Sequence, residues 1–521
     1  MDDRFAAAWA LLPGYLSQHV LLSLCALVLG AAISLPLGVI ASRSAAVRWP
    51  SLFAASLIQT IPSLALLALF YPLLLALSAV SLKWFGRGFP ALGFAPSLMA
   101  LTLYSMLPIL RNVVTGIRGV DPATDEAADG MGMTPLQKLT WVQLPLAAPV
   151  IMAGLRTAAV WTIGAATLAT PVGQTSLGNY IFSGLQTENW VYVLFGCGAS
   201  AVLALSVDQL LGLIESGLAT RRRWRIWAGV IGLVVGTLAA LSPLVGGSMA
   251  ETYKVGAKNF SEQYILAELM ASRLKAAGGR VTMKEDLGSA TAYRAVASGE
   301  IDVYVDYSGT LWANVLHRKD NPGRAAVLAG LSKILKARDG VTVLGPLGFE
   351  NAYVLVMRGD RAKALGVASL ADLAGRSSTL KLGSDLEFLS RPEWAAIRDG
   401  YGLSFARQTS YQPTFMYRAL ADGEADVISA FSSDGRIAAD HLVILADPKG
   451  ALPPYDAVIL LSPRAAKDAR LRRALAPLIG AIPVEAMQAA NFAVDRDANK
   501  LGPAQAARDL AQRVGLLAAP H

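Results

Sequence analysis

Leu241-Ser242-Pro243-Leu244-Val245-Gly246-Gly247-Ser248-Met249-Ala250-Glu251-Thr252 marks the point at which this chain changes solvent. Upstream lie apolar runs separated by short cationic loops. Downstream, charges recur along short mixed segments. The stretch itself, with Pro243, two glycines and Ser248, is turn-prone and reads as a linker. The division this implies is a helical membrane bundle over 1–246, a linker at 247–252 and a soluble domain over 253–521. Composition agrees: 521 residues that are 54% hydrophobic, with a mean hydropathy of +0.44, are too apolar for an ordinary soluble enzyme.

Working back from the linker, a span needs about 20 predominantly apolar residues. Six stretches qualify, at about 19–41, 53–80, 94–117, 147–171, 189–214 and 226–246; the second carries Pro62 and Pro72 and is expected to kink. The opening Met1-Asp2-Asp3-Arg4-Phe5 lacks the features of a cleaved signal, so the first apolar stretch is expected to stay as a span. Arg43, Arg48, Arg111, Arg118, Lys138 and the Arg221–Arg225 cluster fall on one side of the bundle, opposed only by Lys83 and Arg87. Cation-rich loops stay cytoplasmic, which sends the soluble domain outside. The net charge of +8 sits largely in these loops, with no basic stripe interleaved with aromatics, so nucleic acid is not an expected partner. Cys25 and Cys197 lie in apolar spans and read as small core residues, while His19, His317, His441 and His521 are scattered without metal-ligand spacing.

The loop over 121–145 contains Glu126-Ala127-Ala128, then Gly132, then Val142-Gln143-Leu144-Pro145. Asp121 suits the N-cap of a short helix from Pro122, Gly130 and Gly132 suit its end, and a second amphipathic segment is expected over Pro135–Val142. Two short helices on a membrane face would form a docking surface. The spacing resembles the coupling loop of binding-protein-dependent ABC importer permeases, with Val142 where isoleucine is common. The resemblance implies that Glu126, Ala127, Ala128, Gly132, Leu144 and Pro145 engage a separate cytoplasmic ABC ATPase. The chain carries no Gly-x-x-x-x-Gly-Lys-Ser/Thr loop, so it is not expected to be an enzyme or to hold a cofactor; ATP and Mg would belong to the partner.

Working forward from the linker, short β-rich runs alternate with helices: Tyr253–Gly256, Glu262–Ala277, Val281–Glu285, Ser289–Ser298, Ile301–Val305, and later Val341–Leu344, Ala352–Met357, Lys381–Gly383 and Asp426–Ala430. Such alternation predicts an α/β fold with largely parallel sheets. Its length favours a two-lobed periplasmic-binding-protein fold over one doubly wound domain, with one lobe at about 253–354 and 455–521 and the other at about 355–454.

Ala257-Lys258-Asn259-Phe260-Ser261-Glu262-Gln263, Tyr304-Val305-Asp306-Tyr307-Ser308-Gly309-Thr310, Glu387-Phe388 with Arg391, Phe431-Ser432-Ser433-Asp434-Gly435-Arg436 and Leu452-Pro453-Pro454-Tyr455 resemble, in that order, the binding proteins for glycine betaine, choline and related solutes. With the permease motif they describe a fused permease and binding protein of the quaternary-amine ABC uptake family. A quaternary ammonium has no N–H to donate, so a pocket selects it through aromatic faces and shape. The resemblance implies a cage of Tyr307, Tyr353, Phe431 and Tyr455, with Phe431 where tyrosine is frequent. Lys258, Thr310 and Arg391 would meet a carboxylate, and Asn351 and Gln263 would supplement the site. Any one of these rings alone is as often core, and Arg391 has an alternative as a helix cap or a partner of Glu387. The family further implies a bacterial inner-membrane homodimer in lipid, importing glycine betaine or choline, or alternatively ergothioneine or carnitine; a membrane-anchored receptor without transport is the rival of another class.

Overall fold

The computed structural model describes residues 3–85, 93–187, 189–245, 252–318, 320–411, 413–496 and 499–516. They form two compact units, each taken by itself below.

The helical unit contains α1 (Asp3–Arg43), α2 (Ala45–Thr60), α3 (Ser63–Phe85), α4 (Phe94–Arg118), α5 (Pro122–Gly130), α6 (Pro135–Lys138), α7 (Leu144–Ala166), α8 (Gly178–Gln186), α9 (Trp190–Ala219) and α10 (Arg223–Val245). Five stretches are long and apolar enough to cross a membrane, and the bent pair α2–α3 makes a sixth. The first span starts near Asp3 rather than 19, because its opening turns are held by specific contacts more than by hydropathy: Ala8 is buried and its carbonyl accepts the Tyr180 hydroxyl at 2.6 Å. The second span does not merely kink. It breaks by 102° at Ile61–Pro62, where proline lacks an N–H and forces the preceding residue into extended backbone (φ −74°, ψ 126°), whereas Pro72 rides inside α3.

At the centre of this unit Ile109, Val113 and Ile117 of α4 pack on Ala147, Ile151 and Ala158 of α7. The outer helices keep an apolar exterior, with Leu194, Val202 and Leu205 on α9 and Val234, Val235 and Leu238 on α10 exposed. Cys25 is half-buried, but Cys197 lies on the exposed side of α9 and is not a core residue. Arg87 and the linker residues 246–251 lie outside the described residues.

The α/β unit comprises β1 (Thr252–Lys258), α11 (Ser261–Ala276), β2 (Arg280–Leu287), α12 (Ser289–Ser298), β3 (Val303–Tyr307), β4 (Thr342–Glu350), β5 (Tyr353–Arg358), β6 (Lys381–Ser384), β7 (Arg407–Ser410), β8 (Val427–Phe431), β9 (Leu442–Ile444) and β10 (Asp456–Leu461), with further short helices between them. Two five-stranded sheets result, ordered β2-β1-β3-β10-β4 and β7-β6-β8-β5-β9, one per lobe. The sheets are mixed rather than largely parallel. Strands β2, β1 and β3, and likewise β7, β6 and β8, run parallel, but β10 is antiparallel to β3 and β4, and β5 is antiparallel to β8 and β9. The reversals fall at the strands beside the two lobe crossings: the chain leaves the first sheet after β4, enters the second with β5, and returns through β10. The crossings are tied together where the Asn351 N–H donates to the Tyr455 carbonyl at 2.9 Å. Tyr353 opens the second sheet, so its ring stands at the seam between lobes.

Candidate functional site

In the α/β unit the seam encloses a cavity of about 200 Å³ lined by Lys258, Asn259, Phe260, Ser289, Tyr307, Thr310, Asn351, Tyr353, Asp385, Arg391, Tyr411, Phe431 and Tyr455. Eight of the nine residues expected around a ligand from the sequence meet here; the ninth, Gln263, does not line the cavity. The eight are delivered by the ends of β1, β3, β5 and β8, by both crossings, and by the bend between Leu386–Ser390 and Pro392–Tyr401 that holds Arg391. The cavity is smaller than the roughly 300–1,000 Å³ usual for drug-sized ligands, so it suits a compact solute.

The aromatic lining is contiguous. Tyr353 lies 4.7 Å from Phe431 and 6.1 Å, edge-on, from Tyr455; Phe260 stacks on Phe431 at 5.5 Å and on Tyr307 at 6.2 Å. Behind Tyr353, Phe388 stacks at 4.8 Å and fixes the ring plane. Gly309 lets Tyr455 lie flat against the β3 end, since a β-carbon there would stand 2.8 Å from the phenol ring. The protein's own cations rest on two of these faces: Lys258 Nζ is 5.2 Å from the Tyr307 centroid and Arg391 Cζ 5.1 Å from that of Tyr353, distances at which a ring quadrupole attracts positive charge.

The polar groups divide by where their charge is spent. Lys258, 2% exposed, is ion-paired with Asp306, which also accepts the Tyr304 hydroxyl at 2.6 Å and the Tyr307 N–H at 2.8 Å. Arg391 comes from the second lobe and reaches the first, donating to Thr310 Oγ1 and Ser289 Oγ, both at 3.3 Å. Its acid is Glu393 at 3.4 Å, whose Oε1 also accepts the Tyr455 hydroxyl at 2.7 Å. Arg391 is at the same time the N-cap of Pro392–Tyr401; the side chain of Glu387 lies outside the described residues. Gln263 stands one layer back, its amide donating to the Tyr307 oxygen at 2.9 Å and its carbonyl accepting the Lys258 N–H. Burial, reinforced by Glu262 beside it, holds the Tyr307 phenol neutral, far above its ordinary range; burial with Glu393 does the same to Tyr455.

Phe260, Asn259, Ser289, Asp385 and Tyr411 complete the cavity without having been singled out as ligand contacts. Phe260 lies inside the Ala257–Gln263 motif, so the sequence does mark its position. Asp385 is an N-cap, accepting the Phe388 N–H at 2.8 Å, and nothing in its local sequence separates that use from pocket lining.

In the helical unit the 121–145 loop is well defined. Asp121 caps α5 by accepting the Ala123 N–H at 3.0 Å, and Thr134 and Gln137 form a reciprocal capping box that starts α6. The second segment does not end near 142. It passes through a wide turn at Leu139–Gln143 straight into α7, with Pro145 directly after that turn. Glu126, Ala127 and Pro145 are exposed, Leu144 is half-buried and Ala128 is buried. Gly132 sits at φ +75°, the left-handed region that glycine enters without strain. Met131, Leu136 and Trp141 are each more than 60% exposed on the same loop, a concentration of apolar side chains suited to a protein partner.

Comparison with known proteins bears on both units. Residues 34–220 match the family model of the binding-protein-dependent transport system inner membrane component, and residues 251–513 match that of the substrate binding domain of ABC-type glycine betaine transport system. The chain belongs to the ABC-type glycine betaine transport family, with the multi-pass permease component and the substrate-binding domain joined in one polypeptide. It is thus a transport protein for a small solute that works with an ATPase. Among its relatives, the ergothioneine transport permease/ergothioneine binding protein of Helicobacter pylori is 27% identical over 497 residues, covering 92% of this chain and 86% of the relative. The choline transport system permease protein of Bacillus subtilis is 42% identical over 201 residues, 39% of this chain and 85% of that one. A solved glycine betaine/carnitine/choline ABC transporter structure is 26% identical, covers 50% of this chain and 98% of its own, and superposes with a TM-score of 0.44.

Proposed function

We propose that the solute is a trimethylammonium zwitterion of the betaine class, captured in the seam cavity and passed through the permease half when a cytoplasmic ATPase, which carries the ATP and Mg, docks on the 121–145 loop. The observation that carries this reading is the convergence of Phe260, Tyr307, Tyr353, Phe431 and Tyr455, from five separate stretches of chain, beside one arginine. Faces without N–H acceptors suit a cation that has no N–H. The Arg391 fork with Thr310 suits the carboxylate such a molecule carries at its other end. In this reading the cavity residues bind solute, and residues 253–521 lie on the extracytoplasmic side of a bacterial inner membrane. Two copies of the permease half form the lipid-embedded pathway.

A second reading within the class is ergothioneine. The specific observation in its favour is a set of acceptors that a small betaine would not use: the Asn351 carbonyl oxygen, buried and without a protein partner among the described residues, and the Asp385 carboxylate. Both suit the N–H groups of an imidazole-thione. Equilibrium binding of glycine betaine, choline, carnitine and ergothioneine to the full chain in lipid nanodiscs separates the readings. Saturable binding of a carboxylate-bearing quaternary amine, with choline weaker, is the expected result; no binding of any of the four would overturn the proposal.

A further inference from the structure

Glu262 opens α11 behind the cage and is 3% exposed. Its two oxygens take four hydrogen bonds from four different parts of the domain. Oε1 accepts from the Tyr307 hydroxyl at 2.5 Å and from Asn351 Nδ2 at 3.0 Å; Oε2 accepts from the Ser433 hydroxyl at 2.5 Å and from Asn491 Nδ2 at 3.0 Å. Tyr307 is a cage wall on the first sheet, and Asn351 lies on a crossing between lobes. Ser433 follows β8 of the second sheet, and Asn491 sits on the Val484–Asp495 helix, which packs with α11. The donors are oriented by their other bonds: Gln263 donates to the Tyr307 oxygen, so the phenol proton points at Glu262, and Asn491 Nδ2 also donates to the Ser433 carbonyl at 2.9 Å. Only a carboxylate accepts on all four sides, since an amide would turn its NH₂ toward another donor.

We propose that Glu262 is a positioning residue that couples solute capture to lobe closure, because its two oxygens tie a wall of the cage on one lobe to Ser433 on the other. The inference rests on the seam cavity being the solute site. Solute pressed against the Tyr307 face holds that phenol on Oε1, and the carboxylate so fixed keeps Oε2 aimed at Ser433. Closing the lobes in turn orders Glu262 and sets the ring. Arg391 bridges the lobes at the front of the cavity, and Glu262 does so at its back.

The test uses the full chain in nanodiscs with Cys25→Ala and Cys197→Ala, labelled through Arg294→Cys and Asp422→Cys, exposed positions on either lobe, to read the closed fraction by energy transfer. Tyr307→Phe keeps the ring and removes only the hydroxyl; Ser433→Ala removes only the second-lobe donor. Each is expected to lower the closed fraction without solute and to weaken glycine betaine binding about 10- to 150-fold, the loss of one hydrogen bond to a charged group. Because either cut opens the same bridge, the double variant should be weakened about as much as one single, and Glu262→Gln should match it. Effects of the two singles that multiply, or Tyr307→Phe with closed fraction and affinity unchanged, would overturn the proposal. If wild type binds no quaternary amine, the reading of the cavity fails, while the closed-fraction cycle still decides Glu262.

Discussion

Tyr353 is the ring on which cation recognition should depend most, since it stands at the lobe seam with Phe431 at 4.7 Å on one side and Phe388 at 4.8 Å stacked behind it. Tyr353→Leu keeps much of the apolar volume and removes the quadrupole. Simple loss of affinity would be ambiguous, because aromatic pairs each contribute about 0.5–1.5 kcal/mol of their own and their loss loosens the cavity for any ligand. A ligand pair removes the ambiguity: glycine betaine and its carbon isostere 3,3-dimethylbutanoate share shape and carboxylate and differ only in the positive charge. Packing losses, and any shift of Arg391 from its place 5.1 Å from the ring centroid, act on both ligands and cancel in the ratio. What remains is the cation–π interaction, about 0.5–2 kcal/mol for one desolvated ring, so the wild-type preference for betaine should shrink about 2- to 30-fold. The assay is equilibrium binding of both ligands to wild type and variant in nanodiscs. Equal weakening of the two ligands would refute recognition of charge by this ring.

Other outcomes follow from the same geometry. Arg391→Ala should weaken glycine betaine about 10- to 100-fold, as loss of a charge-assisted contact does, with a much smaller effect on choline, which has no carboxylate; equal loss in a binding titration would assign Arg391 to closure alone. Gly132→Val places a β-branched side chain at φ +75° and should reshape the loop at a cost of about 1–3 kcal/mol, leaving solute binding intact while ATP-driven uptake into proteoliposomes is lost; uptake at the wild-type rate would contradict the coupling role. Burial raises the Asp286 carboxyl from 3.8 to about 7, against a lowering hydrogen bond from Tyr264. The native state therefore holds a proton the unfolded chain releases, so stability is greatest at low pH and falls as pH rises toward about 7. From pH 5 to 8 the loss should be about 3 kcal/mol, read as a falling urea midpoint for proteolysis of the soluble domain. Asp286→Asn should flatten that slope, and an unchanged slope would show that Asp286 does not carry it; buried Asp495, raised to about 7 by burial first and Asp434 second, acts with the same sign.

Legibility in the sequence followed the range of the forces involved. The six apolar stretches and the change of solvent at Leu241–Thr252 are local hydropathy, and they were readable. The N-terminal extension of α1 was not, because Ala8 is held by the Tyr180 hydroxyl from 172 residues away. The break at Ile61–Pro62 and the straight passage over Pro72 have the same local signal, and only packing distinguishes them. In the soluble half most strands announced themselves as short β-rich runs between helices, the antiparallel β4 and β5 among them, whereas the parallel β7 and the antiparallel β9 and β10 did not. Strand β10 is buried along its whole length, so it shows no alternation, and its direction is set by a crossing that returns from the other lobe. The cage positions were reached through motifs, and the cavity adds Phe260 from inside one of them. The role of Glu262 is not legible locally, since a glutamate in the first turn of a helix ordinarily reads as a dipole partner.

A structure of the full chain with bound quaternary amine would test the central claim most directly. The trimethylammonium nitrogen should lie within about 6 Å of the centroids of at least three of Tyr307, Tyr353, Phe431 and Tyr455, with a carboxylate, where present, on Arg391. A cation seated on Asp385 or outside the seam, with these rings turned edge-on or out of reach, would contradict it.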